Sequence, residues 1–557
     1  FLHCEFNSNT TGSTGSGAGV YLTDSNVTFI ASSFLNNHSH FHAGAIKSEN
    51  SELSLNDCSL ISNRSLTSNG AGAVYISGGS FSIQSSSFEL NQATLQGGAV
   101  LISDSLGTIQ DSNFTGNQNT NSNGGGALYL DNCSPSILRC RFIENSTFAN
   151  NFGGAIKLNN ASPTIRDSFF VGNQSHNNSA GALYIDSGST PVLSNNEFQL
   201  NSAAQFGGAI FVNGSNLSQS GGLFLGNYAN YGGAIATQGT VSVEFSNIRA
   251  FGNEANSSGS SNAGFVYLNS GVTSSLFVNC TISGNKSAGR YGVYRPNGAT
   301  RFVNCTLAGN QAGSDGGITL MFGGDSIELD NCIVWNNSAG TGDDIWVNAG
   351  SATANYSLFD PSQSIGSISG SNNLNGNPLF VDADGVDNIV GTADDDLRLQ
   401  AGSPGINQAS SSVANYEIAD ADGSLRAGEP DMGAFEYWLA PHSFVFNSAN
   451  YEIIKQNSTW TEAASIAVSR GGKLAEINTA DEQNAIFAEL GNASITPSDT
   501  VAPDGGGGAY VWIGGNDIAV EGNWVWDGDN DSATTPFWSG NYQGAQVAGG
   551  FNNWGVL

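Results

Sequence analysis

Phe88-Glu89-Leu90-Asn91, Gly97-Gly98-Ala99-Val100, Phe114-Thr115-Gly116-Asn117, Gly125-Gly126-Ala127-Leu128 and Phe142-Ile143-Glu144-Asn145 follow one another in a single run. Two marks alternate in it: an apolar residue three places before an Asn, and a Gly-Gly-Ala step followed by Val, Leu or Ile. Working outward, the first mark recurs at Phe6/Asn9, Phe34/Asn37, Leu60/Asn63, Phe170/Asn173, Phe198/Asn201 and Phe224/Asn227, and more loosely at Asn253, Asn285, Asn310 and Asn337. The second recurs at Gly153-Gly154-Ala155-Ile156, Gly207-Gly208-Ala209-Ile210 and Gly232-Gly233-Ala234-Ile235. The mean period is about 27 residues. A fixed period of this size marks a repeat architecture.

Between the marks lie apolar runs of three to five residues, such as Tyr75-Ile76 and Phe81-Ser82-Ile83, broken by Gly, Asn or Ser. No sustained helical period precedes residue 459. Three short strands and three turns fit into one period. Stacked coils of that kind form a right-handed parallel β-helix, each strand pairing with its copy about 4.8 Å along the axis. Thirteen or more coils are expected, with the repeated Phe forming an aromatic stack inside. The Gly-Gly-Ala step should bend the chain where a Cβ would clash. The repeated Asn should sit at a corner, bonding the Asn above and below and tolerating left-handed φ.

The cysteines keep the same clock. Cys4, Cys58, Cys140, Cys280, Cys305 and Cys332 lie five residues before the repeat Asn, in a slot that elsewhere holds Ser32, Ser86, Ser112 and Ser168. A slot that takes Cys or Ser is small and inward, and free buried thiols are expected there, with no Cys/His grouping for zinc.

The chain of 557 residues carries a net charge of −31, with only 16 Lys and Arg. Nucleic acid and anionic membranes need basic patches and are poor partners for it. No apolar run is long enough to span a bilayer as a helix. Phe1 falls within a repeat and Leu557 within a domain, so the chain is expected to be a segment of a longer exported protein.

The paired GGA(I/V/L) and FxxN marks, over residues 1–320, resemble the repeats of chlamydial polymorphic outer-membrane proteins and related bacterial passenger domains. The resemblance implies a β-helical, surface-displayed adhesive rod. Residues 321–438 change motif: Asn377-Pro378-Leu379-Phe380-Val381-Asp382, Asp396-Leu397-Arg398-Leu399, Gly402-Ser403-Pro404-Gly405-Ile406-Asn407 and Asp431-Met432-Gly433-Ala434-Phe435-Glu436-Tyr437 occur in order. This resembles the terminal part of bacterial right-handed β-helix proteins and implies final coils and a cap, which shield the last strand edge and the core.

Within that stretch, Asp382, Asp384 and Asp387 alternate around Gly385, followed by Asp394, Asp395 and Asp396. Carboxylates spaced in this way bring several oxygens to one point, as Ca²⁺ requires, and these six are the candidate calcium ligands; the plainer alternative is a solvated acidic loop. Asp420 and Asp422 form a second, weaker candidate.

From residue 443 to 557 the pattern switches. Thr459-Trp460-Thr461-Glu462 and Thr479-Ala480-Asp481-Glu482 open helices as capping boxes, with a strand expected at Lys473–Ile477 between them. Tyr510-Val511-Trp512-Ile513-Gly514-Gly515, Glu521-Gly522-Asn523-Trp524-Val525-Trp526 and Asn552-Asn553-Trp554 resemble the core strands of C-type-lectin-like domains, here without cysteines. That family's Glu-Pro-Asn-type and Trp-Asn-Asp motifs do not follow, so sugar binding is carried over to no residue. Asp527, Asp529 and Asp531 make a further local acidic loop.

The expectation is therefore a mainly β protein, a β-helix with a C-terminal α+β lectin-like domain. It should act outside the cell or on a bacterial surface as an adhesin or scaffold, with glycans or surface proteins as partners, and not as an enzyme. One alternative is a self-assembling extracellular filament. The other is a β-helix polysaccharide lyase or hydrolase, for which Lys286, Arg290, Arg295 and Arg301 with Tyr291 and Tyr294 are the one local basic grouping.

Overall fold

The computed structural model describes all residues except 14, 67–69, 150–151, 240–241, 258–261, 270, 273, 290–291, 296–297, 314–319, 322–324, 341, 427–428, 438–440, 456–457, 494, 496–510, 533, 541–543 and 548–557. Residues 5–355 form a parallel β-solenoid of about 12 turns, roughly 55–60 Å along the axis at ~4.8 Å per turn.

Along the inward-facing columns, apolar residues lie on apolar residues. Val74 pairs with Val100, Val100 with Leu128 and Leu128 with Ile156 on the strand after the Gly-Gly-Ala step. Phe88 pairs with Phe114 and Phe114 with Phe142 before the repeat Asn. All are fully buried. The rings of Phe88, Phe114, Phe142, Phe170, Phe198 and Phe224 stack at 4.7, 4.9, 4.8, 4.7 and 5.0 Å between centroids, so the core repeats at the spacing of the backbone ladder.

Each coil carries four strand positions rather than the three expected. The fourth, seen in Arg64–Ser65, Gln92–Leu95 and Gln174–Ser175, is mostly two residues long and forms its own 11-stranded sheet. A strand that short leaves no alternation to read. The glycine expectation holds for a specific reason. A Cβ on Gly98 would lie 1.8 Å from the Gly126 carbonyl oxygen and 2.8 Å from the Gln118 backbone, where two strand stacks approach.

The Asn column runs unbroken from Asn9 to Asn337. Each Nδ2 donates to Oδ1 of the Asn in the next coil, at 2.7–3.0 Å. The same Oδ1 also accepts the backbone N–H of the preceding Asn, as in Asn91 to Asn117 at 3.0 Å. The second Nδ2 hydrogen goes to a carbonyl one coil back, as from Asn117 to Phe88 at 2.9 Å. The ladder ends on Asp344, whose Oδ1 accepts from Asn337 Nδ2 at 3.0 Å and backbone N at 3.1 Å.

One expectation about this corner is corrected. The left-handed residue is not the ladder Asn but the one before it: Asn36, Ser62, Leu90, Gly116, Glu144, Gly172, Leu200 and Gly226 all have positive φ. A left-handed residue turns the chain so that the next side chain points inward, where the Asn meets its copies.

All seven cysteines are free thiols; six are buried and Cys4 is half-buried. Cys280, Cys305 and Cys332 occupy successive coils as expected, with Cys280 N–H donating to Cys305 Sγ at 3.4 Å. Burial pushes the Cys140 thiol up to about 12.

Past residue 355 one short strand, Ile368–Ser369, continues the stack. The chain then leaves the axis and runs back along the flank of earlier coils. Asn279 Nδ2 donates to Ala419 O at 2.7 Å, Asn331 Nδ2 to Ser410 O at 2.9 Å and Ala434 N to Thr306 Oγ1 at 2.9 Å. Within this returning segment Phe380–Asp382 and Asp396–Leu399 pair antiparallel.

The C-terminal region holds small antiparallel sheets and two helices. Helix α1, Trp460–Ser469, has the expected capping box between Thr459 and Glu462. Helix α2, Ala480–Asn492, has half of one: Thr479 accepts from Glu482 N, but the Glu482 carboxylate takes the Asn478 N–H instead. Lys473–Ile477 is not a strand. It is held by single bonds, Leu474 N to Gly528 O and Gly514 N to Ala475 O, both 2.9 Å. Asn523–Trp526 is the strand expected there. Tyr510 and Asn552-Asn553-Trp554 lie outside the described residues.

Candidate functional site

The returning segment creates the candidate site by leaning on the solenoid. Its anchor is a buried charge cluster. Arg426, 3% exposed, donates Nη1 to Asp431 O at 3.2 Å and to Glu436 Oε2 at 3.5 Å, and Nη2 to Gly433 O at 2.8 Å and Asn279 Oδ1 at 3.4 Å. Asp420 Oδ2 accepts Glu436 N at 2.8 Å, and Asp431 Oδ1 accepts Asn407 N at 2.7 Å. Glu436 is the carboxylate that bonds the guanidinium, and Asp420 and Asp431 are buried beside the pair, so desolvation disfavours the charged form of all three. Burial, then the Asp422 charge, pushes Asp420 up to about 7; burial, then Asp431, pushes Glu436 up to about 8; burial pushes Asp431 up to about 6. These residues explain the spacing of Asp431–Tyr437. Gly433 stands with φ +94, where a Cβ would come within 2.8 Å of Thr306 and Ile333.

The six carboxylates singled out from the sequence all lie in this segment, with their oxygens spread among protein donors. Asp394 Oδ2 accepts the Val386 and Asp387 amides at 2.8 and 3.3 Å, and its Oδ1 takes the Thr392 hydroxyl at 2.6 Å. These bonds hold Asp394 below the usual carboxylate range. Asp387 Oδ1 accepts Ile389 N at 2.9 Å, and Asp395 Oδ2 accepts Gly391 N at 2.7 Å. Arg398 forks onto Asp396 at 2.8 and 2.5 Å and holds its carboxyl low. Desolvation and the neighbouring Asp384 carboxylate raise Asp382. Among the described residues, the acidic set whose ligand atoms lie within 4.8 Å of one another is Asp527, Asp529 and Asp531 instead.

Two clefts open along the seam between segment and solenoid. The larger, about 550 Å³, has Glu197 and Arg249 on the solenoid side and Asp394–Asp396, Arg398 and Asp422 on the other. The smaller, about 280 Å³, lies across Leu397 and includes Trp335, Asn336, Asn377, Phe380 and Gln400. Sequence reasoning singled out Asp394–Asp396 and Asp422, but missed Glu197, Arg249 and the whole smaller cleft. Glu197 and Arg249 sit at ordinary outward positions of the repeat, pairing with Phe169 and Leu223, and carry no mark of their own.

Of the basic grouping named in the sequence, only part lies among the described residues. Arg301 is spent on Asp330 at 2.5 Å, Tyr294 is buried with its hydroxyl on Thr300 at 2.8 Å, and Arg290 and Tyr291 lie outside the described residues. No protein-family model and no curated protein matches the chain.

Proposed function

We propose that this protein is an extracellular or cell-surface adhesin or scaffold, a stiff right-handed β-helical rod that carries a C-type-lectin-like domain away from its anchor. The observation that carries this reading is the unbroken Asn column, which ties every coil to the next inside a stacked aromatic core. Each ladder Asn from Asn37 to Asn337 is buried with its side-chain amide bonded to the coils on either side, so bending the rod breaks bonds that water cannot replace. The repeat marks' resemblance to chlamydial-type passenger repeats and the acidic, Lys-poor composition support surface display. The three segments, 1–320, 321–438 and 443–557, then serve as rod, terminal coils with cap, and recognition domain. Catalysis has no part in this reading. Calcium enters it as a ligand of the acidic loops, with Asp527, Asp529 and Asp531 the set already drawn together; equal melting temperatures in EGTA and in millimolar Ca²⁺ would remove that element.

Negative-stain images of the purified chain, with surface labelling of cells that express it, test the whole. Single straight rods and surface label are expected. Long filaments would favour the self-assembling alternative, and a purely internal label would sink the adhesin.

A further inference from the structure

The smaller cleft at the seam has a chemistry of its own. In a chain of net charge −31, no charged side chain lines it. Trp335, half-buried against the cluster of Ile333, Leu399 and Met432, and Phe380 supply aromatic surface. Three exposed amides stand around them with unspent hydrogen-bonding capacity. Asn377 uses its Oδ1 on Leu379 N at 2.9 Å and keeps both N–H donors. Gln400 donates Nε2 to Phe380 O at 2.8 Å and Val381 O at 3.2 Å and keeps Oε1 as an acceptor. Among the described residues, neither the Asn336 amide nor the Trp335 indole N–H has a partner.

Aromatic faces beside uncharged donors and acceptors suit a ligand with an apolar C–H face and a rim of hydroxyls. A charged ligand finds no counter-charge here. A purely apolar one would strip water from the amides and leave them unpaired. We propose that this cleft binds a neutral oligosaccharide, with a sugar ring against Trp335 and its hydroxyls bonded by Asn336, Asn377 and Gln400. The inference rests on the seam alone and not on the rod's role as an adhesin.

Calorimetric titration of the whole chain with maltotetraose, cellotetraose and tetra-N-acetylchitotetraose tests it. At least one is expected to bind, and Asn336→Gly and Asn377→Ala are each expected to weaken it about tenfold, the cost of one or two lost hydrogen bonds. Asn336 has φ +55, so glycine keeps the backbone while deleting the amide; an unchanged melting temperature confirms the fold. Binding of none of the three, or binding undiminished in both variants, overturns the proposal. So does binding lost in Arg249→Ala but kept in the other two, which would move the site to the charged cleft.

Discussion

Asn117 shows how much one side chain carries. It donates to Asn145 and to the Phe88 carbonyl, and accepts from Asn91 through both the side chain and the backbone. Asn117→Ala strands these partners in the interior, and at about 1–3 kcal/mol for a buried unpaired group it should lower stability by about 3 kcal/mol or more, read by chemical denaturation. The corner before it offers the opposite lesson. Leu90 is 62% exposed and sits at φ +52, in a slot that Gly116, Gly172 and Gly226 fill without strain. Leu90→Asn should therefore gain about 1 kcal/mol, the cost of a left-handed branched residue; an unchanged or lower denaturation midpoint would contradict this. At this scale the sequence was legible in identity but one place out in conformation. Asn dominates the ladder and also occupies the neighbouring turn at Asn36 and Asn336, so composition alone could not separate the two roles. Asp344, at the ladder's end, was not legible at all. Burial pushes its carboxyl up to about 6. The folded state thus holds a proton that the unfolded chain releases near pH 4, and this residue's contribution to stability falls as pH rises from about 4 to about 6. Asp344→Asn should flatten that slope in melts across the window.

Among elements, the Gly-Gly-Ala strand and the Phe strand were readable because each keeps an inward apolar residue that recurs every coil. The two-residue strands of the fourth stack have no such run, and their existence follows only from where the backbone must travel between Asn and the next Gly. That passage is tight. Gly98→Ala places a methyl on the Gly126 carbonyl, a backbone atom that cannot rotate away, and the coil should open locally. Hydrogen exchange at Ala99 and Ala127, whose amides bond from coil to coil, should rise well before global unfolding; protection equal to that of the parent would show that the joint relaxes. The helices of the C-terminal region were legible from their caps, whereas Lys473–Ile477 was not: its apolar alternation suits a strand, but its backbone bonds to other segments, Leu474 N to Gly528 O and Gly514 N to Ala475 O, are isolated and form no ladder.

At the scale of the whole molecule, the rod was legible and the returning flank was not, because its partners lie 128 and 140 positions away, as Ala434 to Thr306 and Asn279 to Ala419. Its motifs could be recognised as ordered, yet nothing in them says which coils they press on. The flank brings a pH signature of its own. Asp431, Asp420 and Glu436, raised to about 6, 7 and 8, all bind protons more tightly folded than unfolded, so stability should fall as pH climbs from about 4 to about 8. Carboxyls held low, such as Asp396, lose their contribution only below about pH 4 and do not oppose this trend. Melting temperatures should be higher at pH 5 than at pH 8, and Glu436→Gln should shrink the gap. The ladder has a last implication for how such a rod can change over generations. Every joint between coils offers the same donors and acceptors, so removing one full turn, for example residues 118–145, would bring Asn117 onto Asn173 with an identical set of bonds. Length is then a quantity that can be adjusted in whole steps of about 4.8 Å, while smaller insertions are taken up in the turns, since the steps between ladder Asn residues already run from 25 to 32 residues without breaking the column.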